Sequence, residues 1–311
     1  KVRYGIYDWL GHKIMGYENL ISLRYKFVNI ILNGDDKGIY VLEELFNKRL
    51  IENNHQREGI ILRPLSPIKF HREKTLLRDP NTKSTILLLK KLFKSYQQKV
   101  LPPNQLFDYN KMARFLSVIK LIRGEHALLM NNIRFYFNPI TSKLEPIGRE
   151  FNIKSNIDED IFQNKLYKLL MNDPSFVEQY VNHLLRISEP VYLQNFFLKY
   201  DNDLKTNENI LHRQQPYHTL NKSYLYQQQE KIKSELTLNI DNVKTVYELK
   251  GEKLYLVFTN LTNYPLLIND ITSNSKSLNN LFNQSIDNSI PLNRGKNKIT
   301  IRIPDDKYQE I

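Results

Sequence analysis

The sequence predicts an α+β chain, on three observations. Two hairpin patterns sit among helical stripes in the first 200 residues, helical spacing alone fills about 201–238, and beyond Leu238 short strands alternate with Asn, Ser, Gly and Pro. The 311 residues divide accordingly into 1–200, a helical linker at 201–238 and a small β-sandwich-like module at 239–311.

Taken in order, Ile6, Trp9, Leu10 and Ile14 share one face of an opening helix over about 4–16. Tyr25–Leu32 is β-branched and aromatic, Asn33-Gly34 opens a turn through Lys37, and Gly38–Leu42 returns. Glu43–Asn53 takes helical spacing through Leu45, Arg49 and Leu50, Gly59–Leu62 reads as a short strand, and Pro64 and Pro67 interrupt. From Ser84, the positions of Ile86, Leu89, Leu92, Phe93 and Tyr96 make an amphipathic helix that ends before Pro102-Pro103. Asp108 caps the next helix, which carries Met112, Phe115, Leu116, Ile119 and Leu121. A second hairpin follows: Asn132–Phe137, a turn at Asn138–Thr141, and Lys143–Ile147. Helices are expected at about 158–171, at 174–187 behind Asp173 and Pro174, and near 189–203 and 222–236. The last strands are Val243–Leu249, Lys253–Thr259, Leu266–Ile271 and Lys298–Ile303. No repeat of fixed period is present.

Hydrophobic residues at 41%, with 19 Tyr and 15 Phe, supply a sizeable core. The absence of cysteine excludes disulfides, thiolate nucleophiles, Cys-ligated zinc and iron–sulfur clusters. A net charge of +12 is scattered in short clusters such as Lys48-Arg49 and Lys90-Lys91, with no run of five like charges. It reads first as a solvated basic surface, and as a functional signal it points to nucleic acid, an anionic membrane surface, phosphate-rich ligands or an acidic substrate or polymer. A nucleic-acid partner is not expected, because Phe135-Tyr136-Phe137 reads as core rather than as a stacking platform. No stretch approaches the ~18 apolar residues of a membrane span. The chain opens on Lys-Val-Arg-Tyr, the start of a mature form or a fragment. Phosphate-loop, dinucleotide, nucleophile-elbow and zincin motifs are missing, and His212 and His218 fit no usual metal spacing.

What stands out is the order of local segments: YKFVNIILNGDDKGIYVLEELFNKRLIEN at 25–53, DYNKMARFLSVIKLI at 108–122, and GEHALLMNNIRFYFNPITSKLEPIGREFN at 124–152. Together these resemble the CotH (spore coat protein H) kinase-like family, in the branch with an H-x-L…N-x-RFYxNP segment, over about residues 1–200. The resemblance implies an atypical protein-kinase-like core that binds ATP and Mg²⁺ and phosphorylates a protein. It also implies an extracytoplasmic or cell-surface setting, and an upstream strand that would complete the N-terminal lobe.

Carried over residue by residue, the resemblance puts Glu44 at the family's carboxylate after the GxYxL strand, where it would hold a phosphate-binding lysine. Lys26 is the available lysine, and Glu44 otherwise reads as a helix-start acid favoured by the macrodipole. Glu150 falls where the family has its metal-binding Asp, with Asn152 beyond it. The longer glutamate arm disturbs octahedral Mg²⁺ geometry, while Asn152 offers a neutral oxygen. Asn132 matches the family's Asn, and the place of its catalytic Asp falls on His126 or Ala127, with Glu125 next door; His126 is a base of suitable pKa or a residue that caps or packs beneath the hairpin. Arg149 stands where the family is apolar, and an ion pair with Glu150 or Glu145 would occupy the metal's place.

Three functions follow as expectations. The first is an ATP- and Mg²⁺-dependent kinase with His126 catalytic, Lys26 and Glu44 on the nucleotide, and Asn132, Glu150 and Asn152 on the metal. The second is an inactive pseudokinase serving as a surface scaffold for a structural partner, and the third a basic module binding an acidic polymer.

Overall fold

The computed structural model describes residues 5–153, 165–237, 243–250, 253–261, 266–268, 272–273, 276–277, 290–292 and 295–302. Helix α1 (Gly5–Tyr17) buries Ile6, Trp9, Leu10 and Ile14 as their spacing requires. Strands β1 (Tyr25–Leu32) and β2 (Asp35–Glu43) form an antiparallel ribbon of their own. Its turn is tighter than expected. Asn33 and Gly34 both take positive φ (53° and 86°), and Leu32 pairs directly with Asp35. The register shifts near Ile30/Ile31, opposite Gly38 at φ 81°. A side chain at Gly38 would also strike Gln214, whose Oε1 accepts the Ile39 N–H at 3.0 Å.

One local expectation is corrected here. The helix expected over Glu43–Asn53 is only α2 (Lys48–Asn53), because β2 runs on to Glu43 and Glu44 N donates to Arg24 O at 3.0 Å. Asn47 then starts the helix, accepting the Arg49 N–H at 2.9 Å. Glu44 therefore leaves a strand and is not a helix-start acid.

Strands β3 (Ile60–Arg63) and β4 (Lys69–Phe70) precede helix α3 (Glu73–Leu76) and the long α4 (Pro80–Gln97). The latter starts four residues before Ser84, because Asp79 caps it through Thr82 and Pro80 suits its first turn. After α5 (Pro103–Leu106), α6 (Tyr109–Ile122) is capped by Asp108, which accepts the Lys111 N–H at 3.0 Å. A 3₁₀ turn at Glu125–Leu128 leads to β5 (Arg134–Asn138) and β6 (Lys143–Ile147). These complete a four-stranded antiparallel sheet in the order β4-β3-β5-β6.

Helices α7 (Lys165–Met171), α8 (Pro174–Ser188), α9 (Pro190–His212) and α10 (Lys222–Leu236) follow. The expected helix at 158–171 is described only from Lys165, its earlier part lying outside the described residues. Helix α9 runs nine residues beyond the expected end at 203. Within 201–237, Leu204, Leu211, Leu225 and Ile232 belong to the same buried cluster as Ile6, Phe115 and Phe135. The buried Gln229 amide ties α10 down by donating to Ile187 O and Glu189 O, both at 2.7 Å.

Beyond the helices, β7 (Val243–Lys250), β8 (Lys253–Asn260) and β13 (Gly295–Arg302) make an antiparallel sheet in the order β13-β8-β7. The short strands β9 (Leu266–Ile268) and β12 (Ile290–Leu292) pair with each other, as do β10 (Thr272–Ser273) and β11 (Lys276–Ser277). Ile271 and Ile303, ends of expected strands, lie outside the described residues. The chain is thus mixed α+β. Among the described residues, no helix is long and apolar enough to cross a membrane.

Candidate functional site

Sheet, α1 and α6 meet at the loop that leaves β6, Gly148–Ile153. Its anchor is Phe151, fully buried. A Cβ at Gly11 would lie 2.3 Å from the Phe151 ring, at Gly148 3.0 Å, and at Gly124 3.4 Å from its Cβ. Gly11 thus makes room for this ring, while Gly148 and Gly124 border it and meet Phe115 at 2.8 Å and Ile122 at 3.0 Å first. Glu150 and Asn152, on either side of it, both take positive φ (51° and 45°). Asp8 of α1 reaches across 143 positions to accept the Phe151 N–H at 3.0 Å, and also faces the Asn152 N–H at 3.4 Å.

Three of the expected site residues come together here. His126 Nδ1 lies 2.8 Å from Glu150 O, and the Asn132 amide Nδ2 lies 2.9 Å from both His126 O and His126 Nδ1. Nδ1 can only donate to the Glu150 carbonyl and only accept from the Asn132 amide, so it serves one of these two partners at a time. The side chain of Glu150 turns to Arg149, whose Nη2 is in direct ion-pair contact with Glu150 Oε1 and 3.7 Å from Glu43 Oε2. Glu145, the other acid considered for Arg149, instead accepts from Asn138 Nδ2 at 2.7 Å.

Lys26 and Glu44 form a second group. They line an open cavity of about 330 Å³ together with Arg24, Glu43, Asn47 and Arg49. Glu44 is held by its own neighbours: Arg24 Nη2 donates to Oε1 at 2.7 Å, Asn53 Nδ2 to Oε1 at 2.6 Å, and Arg24 N to Oε2 at 3.1 Å. The expected Lys26–Glu44 ion pair is not among the described contacts. Glu43 links the two groups, lining the Lys26 cavity while facing Arg149.

Sequence reasoning missed the residues beneath this site. His12, 3% exposed, lies between Tyr25 and Phe151 with ring centroids 5.4 and 5.0 Å away, its Nε2 3.9 Å from Glu43 Oε1. Neither ring nitrogen is hydrogen-bonded. Burial, with Arg149 nearby, lowers its pKa to about 3, so it is neutral. Burial raises Asp8 to about 6, helped by the charges of Glu43 and Glu150 against the two backbone N–H groups. Burial raises Glu43 as well, with Arg149 opposing. On the far side, Arg134 is 1% exposed and donates through Nη1 to the carbonyls of Asn131, Asn132 and Ile133 at 2.7–2.9 Å. The Phe46 ring sits between cations, 5.3 Å from the Arg134 guanidinium and 5.7 Å from that of Arg149. His71 lies 5.1 Å from the same ring, and burial plus Arg134, Arg63 and Arg149 lower it to about 4. The one local signal for this layer was the i,i+4 spacing of Asp8 and His12 on α1.

The donor set fits a divalent cation poorly. Mg²⁺ takes oxygen ligands in a near-octahedral shell, and here the Glu150 carboxylate is neutralised by Arg149 while Asn132 presents its amide nitrogen to His126. Among the described residues, no three His, Asp or Glu side chains cluster as a metal site. What the arrangement does is hold a strained loop, through Asp8, His126 and Arg149, over a layer of neutral His12 and buried Arg134. No family model matches the chain, and no curated protein matches it.

Proposed function

We propose that this chain is a CotH-like, kinase-resembling pseudokinase: an extracytoplasmic or surface scaffold that presents its lobe and a β-sandwich-like C-terminal module to a protein partner. The observation that carries this reading is Arg149. Its guanidinium lies against Glu150 and beside Glu43, over the Phe46 ring, where the resemblance would put a metal ion between carboxylates. A fixed cation there satisfies the local carboxylates without moving phosphate. Glu44, already bound by Arg24 and Asn53, likewise has no need of a phosphate-holding lysine.

The active-kinase reading keeps one supporting observation: Lys26 and Glu44 face one open cavity, with Glu43 joining it to Arg149 and Glu150. Thermal unfolding with ATP, with and without Mg²⁺ or Mn²⁺, separates the two readings. A nucleotide at 100 times its dissociation constant adds about 2.7 kcal/mol, roughly 4 °C for a chain of this size. The pseudokinase reading expects no metal-dependent shift. A shift of that size that needs the metal and disappears in Glu150→Ala overturns it, and calls for phosphotransfer assays on His126→Ala.

A further inference from the structure

The net charge is not spread evenly over the fold. Residues 69–99, covering β4, α3 and α4, hold nine Lys or Arg against two acids, Glu73 and Asp79. They contribute +7 of the chain's +12, and all nine cations are exposed. Both acids are already engaged. Asp79 caps α4 through the Thr82 N–H and hydroxyl, and Glu73 pairs with Lys90 at 3.0 Å. That pair, together with Lys90 over the Phe70 ring at 5.5 Å, lays β4 and α3 alongside α4.

On α4 the cations form a stripe. Ile86, Leu89, Phe93 and Tyr96 turn to the core, and the outward face carries Lys83, Leu87, Lys90 and Lys94 at intervals of four, three and four, with Lys91 beside them. At 1.5 Å per residue this stripe is about 16 Å long. Lys83, Lys91 and Lys94 make no ion pair among the described residues. Apolar side chains stand out from the same region, Leu87 at 52% exposure, Leu88 at 48% and Leu77 at 41%.

We propose that this face docks on an anionic lipid surface, with its lysines among the headgroups and Leu87 at the acyl boundary. Charge complementarity selects a polyanionic partner, and composition selects among polyanions. The face is rich in Lys, which protein–protein interfaces avoid, and Leu87 and Leu88 take the place of the aromatic platforms that single-stranded nucleic acids stack on. Exposed lysines interspersed with leucines are the chemistry that binds an acidic bilayer peripherally. The inference does not depend on whether the cleft is active.

The test is co-sedimentation of the full chain with vesicles of phosphatidylcholine alone or with a third of the lipid replaced by phosphatidylglycerol. Binding is expected only with the anionic lipid and falls steeply as salt rises. K83Q, K91Q and K94Q together should weaken it about a hundred-fold, and Leu87→Ser about five-fold without changing the salt dependence. These side chains are exposed, and circular dichroism confirms that the variants fold. Failure to bind the anionic vesicles, or binding indifferent to the three lysines, overturns the proposal. Binding to soluble polyphosphate or duplex DNA as tight as to vesicles, unchanged by Leu87→Ser, overturns the lipid assignment in favour of a soluble polyanion.

Discussion

The loop after β6 and the outer face of α4 handle charge in opposite ways. Around Glu150 the charged groups named above turn to partners within the chain: Arg149 to Glu150 and Glu43, Glu44 to Arg24, Arg134 to three carbonyls. On α4, Lys83, Lys91 and Lys94 are exposed and make no ion pair among the described residues. Charges spent internally fix a conformation, whereas unspent charges remain available to something outside. The resemblance points to the first region, while the physical readiness to bind lies in the second.

If that contrast holds, substitutions in the interior cost stability and those on α4 do not. The largest loss is expected for Arg134→Ala, which leaves three carbonyls without their donor and opens a void beside Phe46, about 3 kcal/mol by urea unfolding. Arg149→Ala comes next at about 1–2 kcal/mol, because its side chain is a quarter exposed and solvent screens the unpaired Glu150. The pH dependence of stability sharpens the same point. His12 titrates near 3 when folded and near 6.5 when unfolded, so over that interval the unfolded chain holds the extra proton and stability rises with pH. Asp8 works the other way. Its folded value of about 6 exceeds the ordinary 3.8, so its contribution is largest below 3.8 and is lost as pH rises through 6. Around pH 5 the two slopes nearly cancel, so the unfolding free energy should rise with pH in Asp8→Asn and fall with pH in His12→Gln, each by about 1.4 kcal/mol per pH unit. The smallest effect belongs to K83Q, K91Q and K94Q, each within about 0.5 kcal/mol. A loss of several kcal/mol there, or none at Arg134, would break the contrast.

Much of this could be read in the sequence where the determinants are local. Asp108 and Asp173 each act within a few residues of themselves, so the helices they start form where the pattern says, and Asn33-Gly34 turns the chain as read although β2 resumes at Asp35 rather than Gly38. The Arg149–Glu150 pair was legible for the same reason. Glu44 was misread because a distant main-chain partner, Arg24 O, keeps the strand going past the point where helical spacing begins. Asp8, His12 and Arg134 act on residues that only the closed fold brings near, or through carbonyls that leave no side-chain pattern. Hydrophobic spacing along α1 marks the face that goes inside, and it is silent on which polar residues go with it.

The contact between Gly11 and Phe151 ties together the histories of two positions. A Cβ at residue 11 would lie 2.3 Å from the Phe151 ring, so position 11 cannot gain a methyl group independently of residue 151. Gly148 and Gly124 answer to other neighbours first, Phe115 at 2.8 Å and Ile122 at 3.0 Å. Among descendants of this sequence positions 11 and 151 should therefore vary together. An alanine at position 11 alone should be harmful, and tolerable once a smaller side chain replaces Phe151, a dependence that a double-mutant cycle would register as a large coupling between sites 140 positions apart.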